Sequence, residues 1–233
     1  MIDGKKITAL LPMKANSVRV KGKNFRNFCE KPLFRWILDT LLSLEEIDQV
    51  VINTDARTIL AENGLIETEK IIIRDRKSDI CGDHISMNLV LEDDVRNIPS
   101  DVYLMTHTTN PLLSHNTICE AMLSFLDAQK IGYDSLFSVD KVQTRFYRED
   151  CSPVNHDPQN LIPTQELEPW YEENSNFYFF TRESFISTGA RIGKKPKIFV
   201  TPKLESVDID NPDDWDFAEA VQSFLETKKE TNS

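Results

Sequence analysis

The stretch ITALLPMK, residues 7–14, decides the fold class. Its nearly all-apolar part, residues 7–11, stops at Pro12, which is typical of a strand buried on both faces of a parallel sheet. A polar and basic loop follows over residues 13–30. In open α/β sheets, ligands bind beyond the carboxyl ends of such strands. We therefore expect a ligand site at this loop.

The alternation of strand and helix continues through the first two-thirds of the chain. Further apolar runs predict strands at residues 50–52, 71–73, 102–105, 136–139, 177–180, 198–200 and 207–209. Helical spacing of apolar residues predicts helices at 33–42, 87–95 and 118–126, then from about 182 and from Pro212. Repeated strand–helix–strand units predict a doubly wound α/β fold, with a mostly parallel sheet and helices on both faces.

Between residues 140 and 178 this alternation stops. Prolines and polar residues dominate, and no long helix can be drawn. We predict one domain over residues 1–233, with a small β-rich insertion or arm at about 140–178. Its aromatic residues include Phe146, Tyr147, Trp170 and Tyr171. They suit the core of an interface, although a local subdomain packed on its own sheet would use them equally well.

The composition excludes several classes of protein. The chain of 233 residues has 27 Lys and Arg residues and 38 Asp and Glu residues, so its net charge is −11. A surface this acidic repels nucleic acid and anionic lipid. No apolar stretch approaches the roughly 20 residues that span a bilayer. The four cysteines lack zinc-ligand or redox spacing, and no N-terminal signal pattern is present. We expect a cytoplasmic protein with no nucleic-acid or membrane partner.

The loop after the first strand concentrates positive charge in this acidic chain. It carries Lys14, Arg19, Lys21, Lys23 and Arg26, with Ser17 and Asn24 as neutral hydrogen-bonding groups. Binding of a polyphosphate requires such a cationic loop at the end of a strand. A Walker loop is excluded, because no Gly-Lys-Ser/Thr occurs. A merely solvated basic loop would show the same charge, so charge alone leaves both interpretations open.

Other polar residues are weaker candidates. In a strand, Asp208 and Asp210 would share one face and suit a hard cation, but they could equally be edge-strand acids, one of them capping the last helix. His107 follows a predicted strand and could be a hydrogen-bonded loop histidine. For Asp83, a helix N-cap is a better expectation than catalysis.

Taken in chain order, these features resemble the acylneuraminate cytidylyltransferases, which make CMP-sialic acids and related CMP-ulosonic acids. Pro12, Ser17, Lys23 and Asn24 stand at the spacing of that family's signature loop. Further matching segments follow in the family's order at 31–33, 53–55, 76–86, 106–112, 174–175 and 208–210. Each motif is weak singly, but their order over nearly the whole chain is specific.

The resemblance implies the Rossmann-type fold of nucleotide-diphospho-sugar transferases. It also implies transfer of CMP from CTP to an eight- or nine-carbon 2-keto sugar acid, with release of pyrophosphate. Catalytic roles would fall to Lys14, Lys23 and Asp210, and Asp208 and Asp210 would hold Mg²⁺. The implied nucleotide-binding residues are Lys14, Ser17, Lys23, Asn24, Arg76 and Ser86. The implied sugar-side residues are His107, Arg145, Asn174, Tyr178 and Phe179.

The resemblance further implies a homodimer, in which the insertion of one subunit reaches over the active site of the other. Either Arg145 or Lys141 would meet the sugar carboxylate.

The chain also departs from the family's pattern. Lys14 replaces an arginine and loses its bidentate fork, Ala15 and Asn16 replace two glycines, and His107 replaces a glutamine that touches the acyl sugar. Two alternatives therefore stand beside the main interpretation. One is a nucleotidyltransferase of the same fold with another nucleotide or acceptor, and the other is a catalytically weakened nucleotide-sugar-binding protein.

Overall fold

The computed structural model describes residues 2, 4–17 and 19–231. The strands are β1 (Ile7–Leu10), β2 (Asn27–Phe28), β3 (Lys31–Pro32), β4 (Gln49–Thr54), β5 (Ile71–Asp75), β6 (Val102–Thr106), β7 (Ser135–Val142), β8 (Trp170–Thr181) and β9 (Pro196–Val200). The helices are α1 (Leu33–Ser43), α2 (Arg57–Glu62), α3 (Met87–Asn97), α4 (His115–Gln129), α5 (Arg182–Thr188) and α6 (Pro212–Thr231). None of these described helices is long and apolar enough to cross a membrane.

The central sheet is mostly parallel, as predicted. Its strands lie in the order β5-β4-β1-β6-β8-β7-β9. β1 pairs in parallel with both β4 and β6, and β4 pairs in parallel with β5. β8 runs antiparallel to its neighbours β6 and β7, while β9 is parallel to β7. A separate short hairpin joins β2 to β3.

Helices cover both faces of the sheet. Because side chains alternate along a strand, Ile7 and Ala9 of β1 belong to one core layer and Leu10 to the other. The first layer includes buried side chains of α1, α2 and α4, and the second includes Leu91 of α3 and Phe185 of α5. Burial on both faces explains why β1 has a nearly continuous apolar sequence.

The last helix packs on the segment that follows β1. Trp215 of α6 is buried in a cluster with Val20 and Phe28. The guanidinium of Arg26 lies 4.3 Å from the centroid of the Trp215 ring. This packing holds the basic loop against α6 and brings the residues just before α6 close to the loop.

The last helix, α6, begins at Pro212, as predicted. The amide of Asp214 donates to Asn211 Oδ1 at 3.0 Å, and Asp214 Oδ2 accepts from the amide of Asn211 at 3.0 Å. This reciprocal pair is a capping box, with Asn211 as the N-cap and Pro212 as the first helical residue.

The arm begins where β7 ends. The chain leaves the sheet after Val142 and returns at Trp170, with a short 3₁₀ turn at Thr164–Glu166 between them. β8 then continues without interruption to Thr181. The insertion predicted at 140–178 therefore shares its two ends with β7 and β8, and the segment between those strands is 143–169.

Two local predictions are wrong. Residues 207–209 form no strand. They run irregularly beside α6, where Val207 and Ile209 join its apolar cluster, and the amide of Ile209 donates to the carbonyl of Thr109 at 2.9 Å. Asp83 does not cap α3. Ser86 does, because its hydroxyl accepts from the amide of Asn88 at 3.3 Å.

Candidate active site

A cleft of about 890 Å³ opens beside the segments that follow β1, β5 and β6. It therefore lies at the carboxyl ends of parallel strands, where this architecture binds ligands. The lining includes five cations and three carboxylates, although the net charge of the chain is −11. The charged lining residues are Lys14, Arg19, Lys23, Arg76, Arg191, Asp83, Asp208 and Asp210.

Hydrogen bonds fix the basic loop to neighbouring strand ends. Asn24 Nδ2 donates to the carbonyl of Lys14 at 2.9 Å, and Asn24 Oδ1 accepts from the hydroxyl of Thr108 at 2.7 Å. The amide of Ala15 donates to Asp55 Oδ1 at 2.7 Å. Because the Asn24 amide group is used in this way, its role in the structure is to position the loop.

Lys14 reaches across the cleft. Its Nζ forms an ion pair with Asp83, which holds the pKa of that carboxyl below its usual value. Both side chains are exposed, so the pair contributes little to stability. An anionic ligand with more charge than one carboxylate can therefore displace Asp83 from Lys14 at small cost.

Lys23 is the buried cation of the loop. Its Nζ donates to the carbonyl of Ile209 at 2.5 Å and lies 3.5 Å from Asp210 Oδ1. Arg19 Nη2 donates to the same carboxylate oxygen at 3.0 Å. Burial lowers the pKa of Lys23, while the charges of Asp210 and Asp208 oppose that shift. Two cations of the loop thus meet the carboxylates that precede α6.

Asp208 and Asp210 fit a divalent cation. Burial raises the pKa of Asp208, and its Oδ1 is buried with no hydrogen-bond partner among the described residues. Mg²⁺ is commonly bound by one or two carboxylates while substrate phosphates supply further ligands. The unpartnered Oδ1 of Asp208, close in sequence to the carboxylate of Asp210, suits this mode of binding. Within residues 2, 4–17 and 19–231, no three acidic, His or Cys side chains are grouped to hold a metal unaided.

Arg76, which follows β5, is held by three hydrogen bonds to the ends of β1 and β4. Its Nε donates to Asn53 Oδ1 at 3.0 Å, and its Nη2 donates to the carbonyls of Met13 and Asn53 at 3.1 and 2.7 Å. Asn53 Nδ2 in turn donates to Asp94 Oδ1 at 2.8 Å. Burial lowers the pKa of Arg76, but a guanidinium stays charged at neutral pH. The site therefore has a fixed positive charge here.

His107 is neutral at physiological pH. Burial, followed by the positive charges of Arg191 and Lys23, lowers its pKa to about 3. Beside it, Ser175 adopts a left-handed backbone conformation with φ of 57° and also lines the cleft. A neutral imidazole can offer one hydrogen-bond donor and one acceptor to a ligand, but no charge.

The structure brings most of the sequence-predicted site residues together. The ones that line the cleft are Lys14, Ser17, Lys23, Asn24, Arg76, His107, Asp208 and Asp210. Ser86 lies outside this lining, because its hydroxyl caps α3. The nucleotide-side and metal-side predictions thus share one cavity, with Ser86 as the exception.

The sugar-side predictions are mostly elsewhere. Arg145 Nη2 donates to the carbonyl of Ile162 within the arm, and Asn174 Nδ2 donates to Asp140 and Thr201. Tyr178 is buried, and the guanidinium of Arg191 stacks on its ring. The prediction that Phe179 lines the sugar side is wrong. Its side chain points to the other face of β8, where it is fully buried and stacks on Phe125, so it cannot line the cleft.

Several lining residues were not predicted from the sequence. They include Asp83, His84, Thr108, Thr109, Ser175 and Arg191. Thr108 and Thr109 stand within a segment already singled out, whereas Arg191 lies in a short loop after α5 that matches no motif. Its only sequence signal is a basic residue between Gly189 and Gly193.

Comparison with known proteins identifies the family. A model of the cytidylyltransferase family matches residues 8–231. The chain belongs to this family. It is thus a nucleotidyltransferase, and the resemblance found in the sequence is confirmed.

Curated relatives of this cytidylyltransferase are distant. It is 23% identical over 220 residues to the pseudaminic acid cytidylyltransferase of Campylobacter jejuni strain 81-176, covering 91% of this chain and 94% of that protein. It is 24% identical over 233 residues to the CMP-N,N'-diacetyllegionaminic acid synthase of Legionella pneumophila, covering 94% and 97%. It is 28% identical over 221 residues to N-acylneuraminate cytidylyltransferase A of Danio rerio, covering 91% of this chain and 50% of that protein.

Solved structures share the fold. The 4-diphosphocytidyl-2C-methyl-D-erythritol synthase of Anaerococcus prevotii gives a TM-score of 0.67 at 14% identity, covering 95% of this chain and 98% of that one. A CMP:2-keto-3-deoxy-manno-octonic acid synthetase complexed with CTP gives 0.64 at 13% identity, covering 94% and 99%. These similarities confirm the predicted doubly wound fold. Because the sequence identities are so low, they support the fold alone.

Proposed function

We propose that this cytidylyltransferase activates a 2-keto sugar acid of the nonulosonic or octulosonic class with CTP, giving a CMP-sugar and pyrophosphate. The observation that carries the proposal is the pairing of a cationic loop with Asp208 and Asp210 across one cleft, in a chain of this family. Names of the curated relatives refer to pseudaminic, legionaminic and N-acylneuraminic acids, which favours a nine-carbon acceptor.

In the reaction, the anomeric hydroxyl of the sugar attacks the α-phosphorus of CTP. The new P–O bond forms as the bond between the α-phosphorus and the bridging oxygen to the β-phosphate breaks, the hydroxyl proton passes to solvent, and pyrophosphate leaves. Such displacements depend on positioning and charge neutralisation more than on covalent chemistry by the protein. Lys14, Lys23 and Arg76 would neutralise the triphosphate from both sides of the cleft, and Ser17 would donate a hydrogen bond to it.

Asp208 and Asp210 would hold Mg²⁺ together with phosphate oxygens. When bound there, the ion neutralises the negative charge that develops on the phosphates during transfer. Arg19 and Lys23 already contact Asp210, so they stand next to the same charge.

We also propose a homodimer. The arm carries exposed apolar side chains, with Tyr147, Leu161 and Tyr171 being 54%, 61% and 46% exposed. Arg145 is held inside the arm and does not reach the cleft of its own subunit. Contact with a second copy would cover this apolar surface and bring the arm to the other cleft. Light scattering coupled to size-exclusion chromatography tests the state, and a mass of one chain at micromolar concentration contradicts it.

The reaction is tested by release of pyrophosphate from CTP, with Mg²⁺ and a panel of eight- and nine-carbon 2-keto sugar acids. We expect release with at least one acid and a strong preference for CTP over ATP and GTP. Thermal-shift measurements with each nucleotide and Mg²⁺ give an independent readout, since a ligand that binds only the folded state stabilises it. Equal shifts with ATP would favour another nucleotide, and a CTP shift without turnover on any acid would favour a binding protein.

A further inference from the structure

We propose that Arg191 binds the carboxylate of the acceptor acid in the cleft of its own subunit. The proposal rests on the proposed function, because it needs an anionic acceptor. It assigns a substrate-specificity role to a residue that no motif in the sequence singles out.

The order of the strands places Arg191 on the acceptor side. β6 lies between β1 and β8, so His107, which follows β6, separates the basic loop after β1 from groups carried on β8. The guanidinium of Arg191 stacks on one such group, Tyr178, at 3.8 Å from the ring centroid. A sugar bound next to the α-phosphate on the β8 side therefore meets His107 and Arg191.

Arg191 is held in place but keeps free donors. Stacking on Tyr178 fixes the guanidinium plane, and Nη2 makes a long contact of 3.4 Å with Glu173 Oε1. Among the described residues, Nε and Nη1 of Arg191 make no hydrogen bond to the protein. A planar guanidinium with two free donors suits a carboxylate, which takes two parallel hydrogen bonds.

The electrostatic surroundings favour an anion at this place. The charge of Arg191 reaches His107 and helps to lower its pKa, so the imidazole beside the proposed carboxylate is neutral. Glu173 forms an ion pair of 3.4 Å with Arg191 Nη2, and the same Oε1 also accepts from the hydroxyl of Tyr178. This pair uses only Nη2, so Nε and Nη1 of Arg191 remain available to a ligand.

Arg145 and Lys141 are the competing assignments. Neither lines the cleft of its own subunit, and Arg145 is bound to the carbonyl of Ile162. Either residue could reach an acceptor only in the cleft of a second copy. Arg191 needs no such partner, so substitutions separate the two possibilities.

The experiment compares Arg191→Gln and Arg191→Lys with Arg145→Gln. Arg96→Gln is the matched control, since Arg96 is an exposed arginine on α3 that pairs with Glu92 away from the cleft. Pyrophosphate release gives kcat and KM for CTP, for the best acid of the panel and for the corresponding uncharged carboxamide. Thermal unfolding shows whether each variant is folded.

For Arg191→Gln, we expect the KM for the acid to rise about 10- to 100-fold, the size of a lost charge-assisted hydrogen-bonded pair, while the KM for CTP changes less than about 3-fold. The preference of the wild type for acid over carboxamide should collapse, and Arg191→Lys should restore part of it. A purely structural role would weaken both acceptors alike and would not respond to lysine.

Two results would overturn the assignment while leaving the proposed function intact. One is an unchanged preference for acid over carboxamide in Arg191→Gln, and the other is loss of that preference in Arg145→Gln alone. If the wild type itself turns over none of the acids, the proposed function fails, and the assignment of Arg191 fails with it.

Discussion

The buried carboxyl of Asp94 predicts a loss of stability with rising pH that the substitution Asp94→Asn removes. Asp94 Oδ1 accepts from Asn53 Nδ2 and from Arg74 Nη1, both at 2.8 Å. Its Oδ2 is buried and has no hydrogen-bond partner among the described residues. Burial outweighs both contacts and raises the pKa of Asp94 to about 6.

The sign follows from proton binding. Between its usual pKa of 3.8 and about 6, the folded protein keeps a proton on Asp94 that the unfolded chain has released. Stability therefore falls as pH rises through this window, at about 1.4 kcal/mol per pH unit and by about 3 kcal/mol in all. About half of that change falls between about pH 5 and pH 7.5.

The difference between wild type and Asp94→Asn isolates this carboxyl, because the other groups cancel. Urea denaturation at about pH 5 and pH 7.5 should show the variant gaining about 1.4 kcal/mol relative to wild type as pH rises. Asp79→Asn, at an exposed position, is the control and should show no such trend. A constant difference, or a gain by the wild type, would mean that Arg74 dominates and that Asp94 is ionised throughout.

Three further predictions concern the cleft and its frame. Asp210→Ala should lower kcat at least about 100-fold and abolish the dependence on Mg²⁺ while retaining the fold, whereas Asp216→Ala, on the exposed face of α6, should not; equal turnover in both refutes the metal assignment. His107→Gln should change relative kcat/KM among sugar acids by about 10-fold without altering the pH profile between pH 6 and 8, and loss of a pH limb would show acid–base chemistry instead. Asn211→Ala should lower the free energy of unfolding by about 1 kcal/mol through loss of the cap, and an unchanged urea midpoint would contradict that role.

The sequence predicted the sheet because its strands are buried on both faces. Runs such as residues 50–52 and 102–105 have no solvent-facing positions, and both became central strands beside β1. The run at 207–209 has the same apolar character, but its side chains pack on α6 and leave the backbone outside the sheet. A run of apolar residues indicates that a segment is buried. It does not specify whether the segment pairs with a strand of the sheet or packs against a helix.

The site residues could be predicted from the sequence where a motif lies at the carboxyl end of a strand. Lys14 and His107 lie soon after β1 and β6, so topology alone brings them to one edge, whereas Lys23 was found by the charge of its loop. Period-two alternation also predicts that Tyr178 and Phe179 point to opposite faces, so that both cannot line one cleft. Arg191 was not predictable, because a single loop residue reaches the cleft only through its stacking on β8.

The arrangement of charges explains how an acidic protein can accept a polyphosphate. In the structure, cations of the cleft are paired with aspartates: Lys14 with Asp83, and both Arg19 and Lys23 with Asp210. Under the proposed function, Mg²⁺ would take Asp210 and the triphosphate would take the cations, so each group exchanges one partner for another. Desolvation of unpaired charges is then avoided both before binding and after it. Binding of CTP and of Mg²⁺ should therefore be mutually favourable, because each removes the partner that competes with the other.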